Sequence, residues 1–161
     1  MGLLLDAGCG TGRNLAGFLE SGHRVVAVDM DLDALTTAKS LLIEEDGSDA
    51  IYFAVVDLES LSFPDGLFDE VHFDDVLHWA KDQKHFEAMW YECWRILKPG
   101  GIFSASFRCV VETKRLDEPW FLADRALIED MVVSLRAKWL MPLEIKTAAD
   151  FSVAVLQISK L

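Results

Sequence analysis

Leu3-Leu4-Leu5-Asp6-Ala7-Gly8-Cys9-Gly10-Thr11-Gly12-Arg13-Asn14 is the stretch on which the reading of this chain turns. Three branched apolar residues end in an acid, and three glycines at alternate positions lead into a segment with helical spacing. This is the pattern of a buried strand, a tight turn and a helix start. Glycine suits such a turn because it takes positive φ without steric penalty and lets a ligand approach bare backbone. The first amides of the following helix are expected to face whatever sits in the turn, so a small ligand is expected above the strand's carboxyl end. A phosphate loop would need Gly-Lys-Ser/Thr, but Gly12 is followed by Arg13 and Asn14. A dinucleotide fingerprint has its last two glycines three apart, whereas Gly8, Gly10 and Gly12 are each two apart. Triphosphates are excluded, and nicotinamide and flavin cofactors fit poorly.

The 161 residues suffice for one domain, and 1–161 is read as a single unit. Apolar residues make up 52% of the chain and charged ones 26%, and no apolar run reaches the roughly 20 residues of a membrane helix. A core-rich, soluble protein with no membrane partner is expected. No basic region precedes the first strand, so the cytoplasm is the expected location. Cys9, Cys93 and Cys109 are widely spaced and outside any Cys-x-x-Cys pattern, which indicates neither a disulfide framework nor a zinc site. A formal charge of −12 with scattered Lys and Arg argues against nucleic acid as a partner.

Downstream of the turn, Leu15, Phe18 and Leu19 share a helical face that Ser21-Gly22-His23 ends. Arg24 to Val28 is a β-branched run closing in Asp29-Met30-Asp31. Asp29 lies 23 positions after Asp6, close to the ~20-residue offset at which an acid after strand two meets ribose hydroxyls. That spacing points to an adenosine-containing ligand. Asp31 caps a helix with Ala34, Leu35, Ala38, Leu41 and Leu42 on one face, closed by Glu44-Glu45-Asp46-Gly47-Ser48. Ile51 to Val56 is a third strand leading to Asp57-Leu58, and Leu67 to Phe73 a fourth leading to Asp74-Asp75. Phe86, Met89, Trp90, Cys93 and Leu97 form a core stripe on the next helix. Leu97 to Gly101 reads as a helix stop and turn, with Ile102 to Phe107 as strand five. Cys109 to Leu122 reads as a loop. Asp124 caps a last helix striped by Leu127, Ile128, Met131, Leu135 and Trp139, and Leu143 to Thr147 with Phe151 to Ser159 form a hairpin across Ala148-Ala149-Asp150.

With Asp6 in front, the glycine pattern resembles motif I of the class I S-adenosylmethionine-dependent methyltransferases, acid-x-Gly-x-Gly-x-Gly. Phe68-Asp69-x-Val71 followed by Leu77-His78-Trp79-x-x-Asp82 looks like the strand-four region of small-molecule members, and Leu97-Lys98-Pro99-Gly100-Gly101 is typical of the same family. The resemblance spans essentially the whole chain. It implies an α/β, Rossmann-like, doubly wound sheet of seven mostly parallel strands, order 3-2-1-4-5-7-6, with an antiparallel C-terminal hairpin. It implies S-adenosylmethionine as cofactor, S-adenosylhomocysteine as its product, and methyl transfer to a small-molecule acceptor. The cofactor contacts expected are Asp6, Gly8, Cys9, Gly10, Asn14, Asp29, Met30, Asp57, Leu58 and Asp74. Asp57 takes the role of reading the adenine amino group, with Leu58 beside the ring.

Asp75 and His78 follow strand four, where an acceptor would lie, and are the candidate acid/base groups. Against that stands a packed, structural role for His78. Cys9 has no nearby base, so its backbone is the expected contact. His23, His72 and His85 read as surface or turn residues, and no metal site is expected. The family carries helices before strand one that cover the acceptor pocket; here they are absent. The reading therefore leaves open a truncated core, a second copy closing the pocket as a homo-oligomer, or a module that binds S-adenosylmethionine or S-adenosylhomocysteine without catalysis. A nicotinamide-dependent oxidoreductase is disfavoured by the glycine spacing and the terminal hairpin.

Overall fold

The computed structural model describes residues 2–43, 50–110, 121–147 and 151–161. The readings placed on 44–48, on 111–120 and on 148–150 lie outside the described residues. In chain order the elements are β1 (Leu3–Ala7), α1 (Leu15–Glu20), β2 (Arg24–Asp29), α2 (Leu32–Ile43), β3 (Ile51–Val55), β4 (Phe68–Asp74), a 3-10 turn (Leu77–Trp79) and α3 (Gln83–Ile96). They continue as β5 (Leu97–Val110), β6 (Ala123–Asp124), α4 (Arg125–Ser134), β7 (Lys138–Thr147) and β8 (Ser152–Ser159). Among the described residues no helix is long and apolar enough to cross a membrane.

The strands form one sheet in the order 3-2-1-4-5-8-7, with β6 pairing beside β5. The two-residue β6 takes a number of its own, so this is the expected order with its last two labels raised by one. β1 to β5 pair parallel, while β8 runs antiparallel to both β5 and β7. Parallel strands need cover on both faces, which is why β1 opens on the apolar run Leu3-Leu4-Leu5. Leu4, Val25 and Ala27 pack with Leu15, Leu35 and Ala38 from α1 and α2 on one face. Leu5, Ala7, Val71 and Phe73 pack on the other with Phe86, Trp90 and Cys93 of α3 and with Ile128 and Met131 of α4. The Trp90 ring stacks on Phe103 at 4.9 Å and Phe86 meets Phe107 at 5.6 Å, contacts worth about 0.5–1.5 kcal/mol each beyond burial.

Several boundaries differ from the sequence reading. β5 begins at Leu97, not Ile102, because Leu97 pairs with Phe68, Gly100 N donates to Lys160 O at 2.7 Å and Lys160 N donates to Gly101 O at 3.1 Å. At its other end Cys109 and Val110 are strand rather than loop, since Cys109 pairs with Ser152 and Ala123. Trp139 lies in β7, not on the last helical stripe, because α4 stops at Ser134 and Arg136 turns with φ 51°. Leu41 is 64% exposed, so the buried face of α2 rests on Leu35 and Ala38. His72 is a strand residue whose ring meets Phe18 edge-on at 5.0 Å; burial holds its pKa below the usual imidazole value.

Candidate functional site

β1 lies between β2 and β4, so the chain leaves it on one side and returns on the other, and a crevice opens at the strand ends there. The glycine turn closes that crevice. Gly8, Gly10 and Gly12 all have positive φ, 75°, 53° and 87°. At Gly8 a side chain would be strained twice over, since φ is positive and a Cβ would stand 2.5 Å from Val76 Cγ2. At Gly10 a Cβ would meet nothing within 4 Å, and that open side belongs to the cleft.

Four of the turn's amides are bound within the protein. Gly8 and Cys9 donate to Val28 O at 2.8 and 2.9 Å, Gly12 donates to Cys9 O at 2.9 Å, and Gly10 donates to Asp29 Oδ2 at 2.8 Å. These four amides are thereby committed within the protein, and α1 behind the turn has only six residues. Asp29 holds the turn in place, its Oδ1 also accepting the Asp31 N–H at 2.9 Å. Each carboxylate oxygen keeps a lone pair for a further donor.

Asp6 sits behind the turn and is 2% exposed. Burial, then the Asp74 charge, raise its pKa to about 7 against the opposing Arg13 charge, with Asp29 adding a smaller push. Among the described residues Asp6 Oδ2 has no hydrogen-bond partner. Asp74 behaves oppositely: burial raises its pKa, but hydrogen bonds from Ser106 and Asn14 and the Arg13 charge outweigh that and hold the carboxyl below its usual value. Asn14 Nδ2 donates to Asp74 Oδ2 at 3.1 Å, and Arg13 Nη2 lies 3.0 Å from the same oxygen. The Cys9 thiol is pushed up to about 12, chiefly by burial, so it stays neutral and is no nucleophile.

The cleft has a volume of about 620 Å³, ample for an adenosine-sized ligand. Gly8, Cys9, Gly10, Arg13 and Asn14 line it from the turn, and Asp29, Met30 and Asp31 from the end of β2. Val56, Asp57 and Leu58 follow β3; Asp74 ends β4, with Asp75 and Val76 after it and Trp79 from the 3-10 turn; Lys81, His85 and Met89 come from α3 and its approach. Of the residues read as cofactor contacts, all but Asp6 reach this wall. Asp75 reaches it as well, with φ 63°, its backbone N–H held by Ser106 O at 2.8 Å. The His78 side chain does not line the cleft; it is 2% exposed, with Nδ1 3.6 Å from Asp75 Oδ1.

Sequence reasoning missed Arg13, Lys81, His85 and Met89 as cleft residues. Met89 carried only a core signal, and at 5% exposure it serves both core and cleft. His85 lies two residues beyond the start of α3, where its N–H donates to the capping Asp82 at 2.8 Å. Asp57, Glu59 and His85 bring ligand atoms within 4.8 Å of one another. However, His85 Nδ1 accepts the Lys81 N–H at 3.1 Å, which puts the ring proton on Nε2, facing Glu59 Oε2 at 3.6 Å. A nitrogen that carries its proton faces a carboxylate as a donor and is no metal ligand, so this cluster fits a contact of neutral histidine with carboxylate better than a cation site.

Residues 5–105, well over half the chain, match the family model described as methyltransferase domain. The chain is 27% identical over 121 residues to malonyl-(acyl-carrier protein) O-methyltransferase of Salmonella typhimurium, covering 75% of this chain and 45% of that protein. It is 32% identical over 105 residues to sterol 24-C-methyltransferase of Eremothecium gossypii, covering 63% of this chain and 27% of that one. The chain thus spans less than half the length of these curated relatives. In fold it is similar to the (4+2)-cyclase SpnF, with TM-score 0.84 and 19% identity over 99% of this chain and 74% of that one. It is also similar to the 1,6-didemethyltoxoflavin-N1-methyltransferase of Burkholderia thailandensis, solved with S-adenosylhomocysteine, with TM-score 0.80 and 21% identity over 99% of this chain and 71% of that one. On the family match, with the glycine turn and strand order that accompany it, the chain belongs to the methyltransferase-domain family of class I S-adenosylmethionine-dependent methyltransferases.

Proposed function

We propose that the cleft binds S-adenosylmethionine and that the chain transfers its methyl group to a small-molecule acceptor. The observation that carries this reading is the meeting of acids from successive strand ends, Asp29, Asp57 and Asp74, around a glycine turn whose Gly8, Cys9, Gly10 and Gly12 amides are already bonded. Such a wall suits a ligand bearing a sulfonium and an ammonium and repels a phosphate. Asp29 and Met30 would hold the ribose side, Asp57 and Leu58 the base, and the Asn14–Asp74 corner the amino-acid end. The cofactor supplies a methyl group on a positively charged sulfur, already activated for in-line displacement. What remains for the chain is to orient the acceptor and exclude water. Asp75 is the group on the wall available to take a proton from an acceptor that arrives protonated, with His78 behind it.

A second reading, binding without methyl transfer, is favoured by the burial of His78 away from the cleft. Calorimetric titration with S-adenosylmethionine and S-adenosylhomocysteine, with NADH as control, tests the common part. Saturable micromolar binding, about −8 kcal/mol, is expected for both sulfur ligands and none for NADH. Transfer of a labelled methyl group to any member of a panel of hydroxyl, carboxyl, amine and carbon acceptors then separates the two readings.

A further inference from the structure

The Asp57–Leu58 end of the cleft stands on a connection, residues 56–67, that has no helix of its own and yet is tied at four points to the last turns of α3. The ties come from two side chains one helical turn apart. Arg95 Nη1 donates to Phe63 O at 2.9 Å and to Asp65 Oδ1 at 2.6 Å, and Nη2 donates to Leu61 O at 2.9 Å. Glu92 Oε2 accepts the Leu61 N–H at 3.0 Å, and both its oxygens accept from Arg95 at 2.9 Å. The Gly66 and Leu67 amides then donate to the Arg95 and Ile96 carbonyls. A planar guanidinium fork with three bonds to one loop and two to Glu92 is a rigid clamp, which a flexible ammonium cannot reproduce. Neither Glu92 nor Arg95 lines the cleft.

We propose that Glu92 and Arg95 are positioning residues for the base-binding end of the cleft: by fixing the 56–67 connection from α3 they set where Asp57 and Leu58 stand, and so the selectivity for the base. The proposal rests on the S-adenosylmethionine reading above. The same helix carries His85 and Met89 to the cleft wall, with His85 beside Asp57 and Glu59 of the connection, so α3 aligns both the connection and the wall next to it.

The test compares S-adenosylhomocysteine with S-inosylhomocysteine, which replaces the base amino group by an oxo group, on the wild type and on Arg95→Gln, Arg95→Lys and Glu92→Gln. The wild type is expected to favour the adenine ligand at least tenfold. Arg95→Gln should lower that preference toward unity, with Arg95→Lys restoring only part of it. A purely structural role would lower the unfolding midpoint and leave the preference unchanged. Should Arg95→Gln not fold, Glu92→Gln, which keeps the acceptor for the Leu61 N–H, is expected to show the same loss of selectivity. Variants that fold and discriminate as well as the wild type overturn the proposal alone. A wild type that binds both ligands equally also overturns it, because Asp57 and Leu58 then do not read the base. A wild type that binds neither overturns the reading of the cleft, and this proposal with it.

Discussion

Asp29 and Asp6 are both acids at strand ends beside the glycine turn, yet their surroundings give them opposite tasks. Asp29 accepts backbone N–H groups from Gly10 and Asp31, so Asp29→Ala would free the part-buried Gly10 donor, at a cost of about 1 kcal/mol, while the exposed Asp31 N–H turns to water. Titration of that variant is expected to show ligand affinity reduced by at least about tenfold. Gly8→Ala should destabilise the fold by about 2 kcal/mol or more, measured by urea unfolding, since φ is 75° and Val76 occupies the space of the new methyl. Asp6 carries a pKa raised by burial to about 7 from an ordinary value of 3.8. The folded state therefore holds this proton more tightly than the unfolded chain does. Its contribution to stability is full below the unfolded value and is lost as pH rises from about 4 through about 7. Asp6→Asn should abolish that loss, so its melting temperature is expected to fall less than the wild type's between pH 5 and pH 8. Spacing identified both acids; only the burial of one and the bonding of the other separate their roles.

At the level of elements, α3 joins core and site. Its buried face was legible because Phe86, Met89, Trp90 and Cys93 recur at helical spacing, and its start because Asp82 precedes it and accepts the His85 N–H. Asp82→Ala is expected to cost about 1 kcal/mol in chemical denaturation, as is Asp124→Ala at α4, whose cap bond to the Leu127 N–H is alike. The two should differ at the cleft: loosening the start of α3 disturbs His85 and Met89 and weakens ligand binding, while α4 supplies no cleft residue. β5 was less legible. Lys98-Pro99-Gly100-Gly101 has the composition of a turn, and only pairing with Phe68 and the Lys160 backbone draws it into a 14-residue strand.

Across the whole molecule, a formal charge of −12 produces a field that attracts cations and weakens with salt. S-adenosylmethionine carries one more positive charge than S-adenosylhomocysteine. Stopped-flow association should accordingly slow with ionic strength for the first ligand and stay nearly flat for the second. Equal salt dependence would show that the aspartates around the cleft do not steer the ligand. The sheet order was legible through the family resemblance, which implied 3-2-1-4-5-7-6, the order the sheet has once the short β6 takes its own number.

The sequence by itself determined the fold class, the glycine turn, the acids at successive strand ends and the family, because each depends on local spacing or on short motifs. Which side chains share the cleft was decided by the tertiary structure alone. Packing withdrew His78 and Asp6 from its wall, brought in Arg13, Lys81, His85 and Met89, and tied the 56–67 connection to Arg95. The reason is physical: burial and side-chain reach depend on what the neighbouring strands and helices leave open, and residues as far apart in sequence as Leu61 and Arg95 meet only after the sheet has formed.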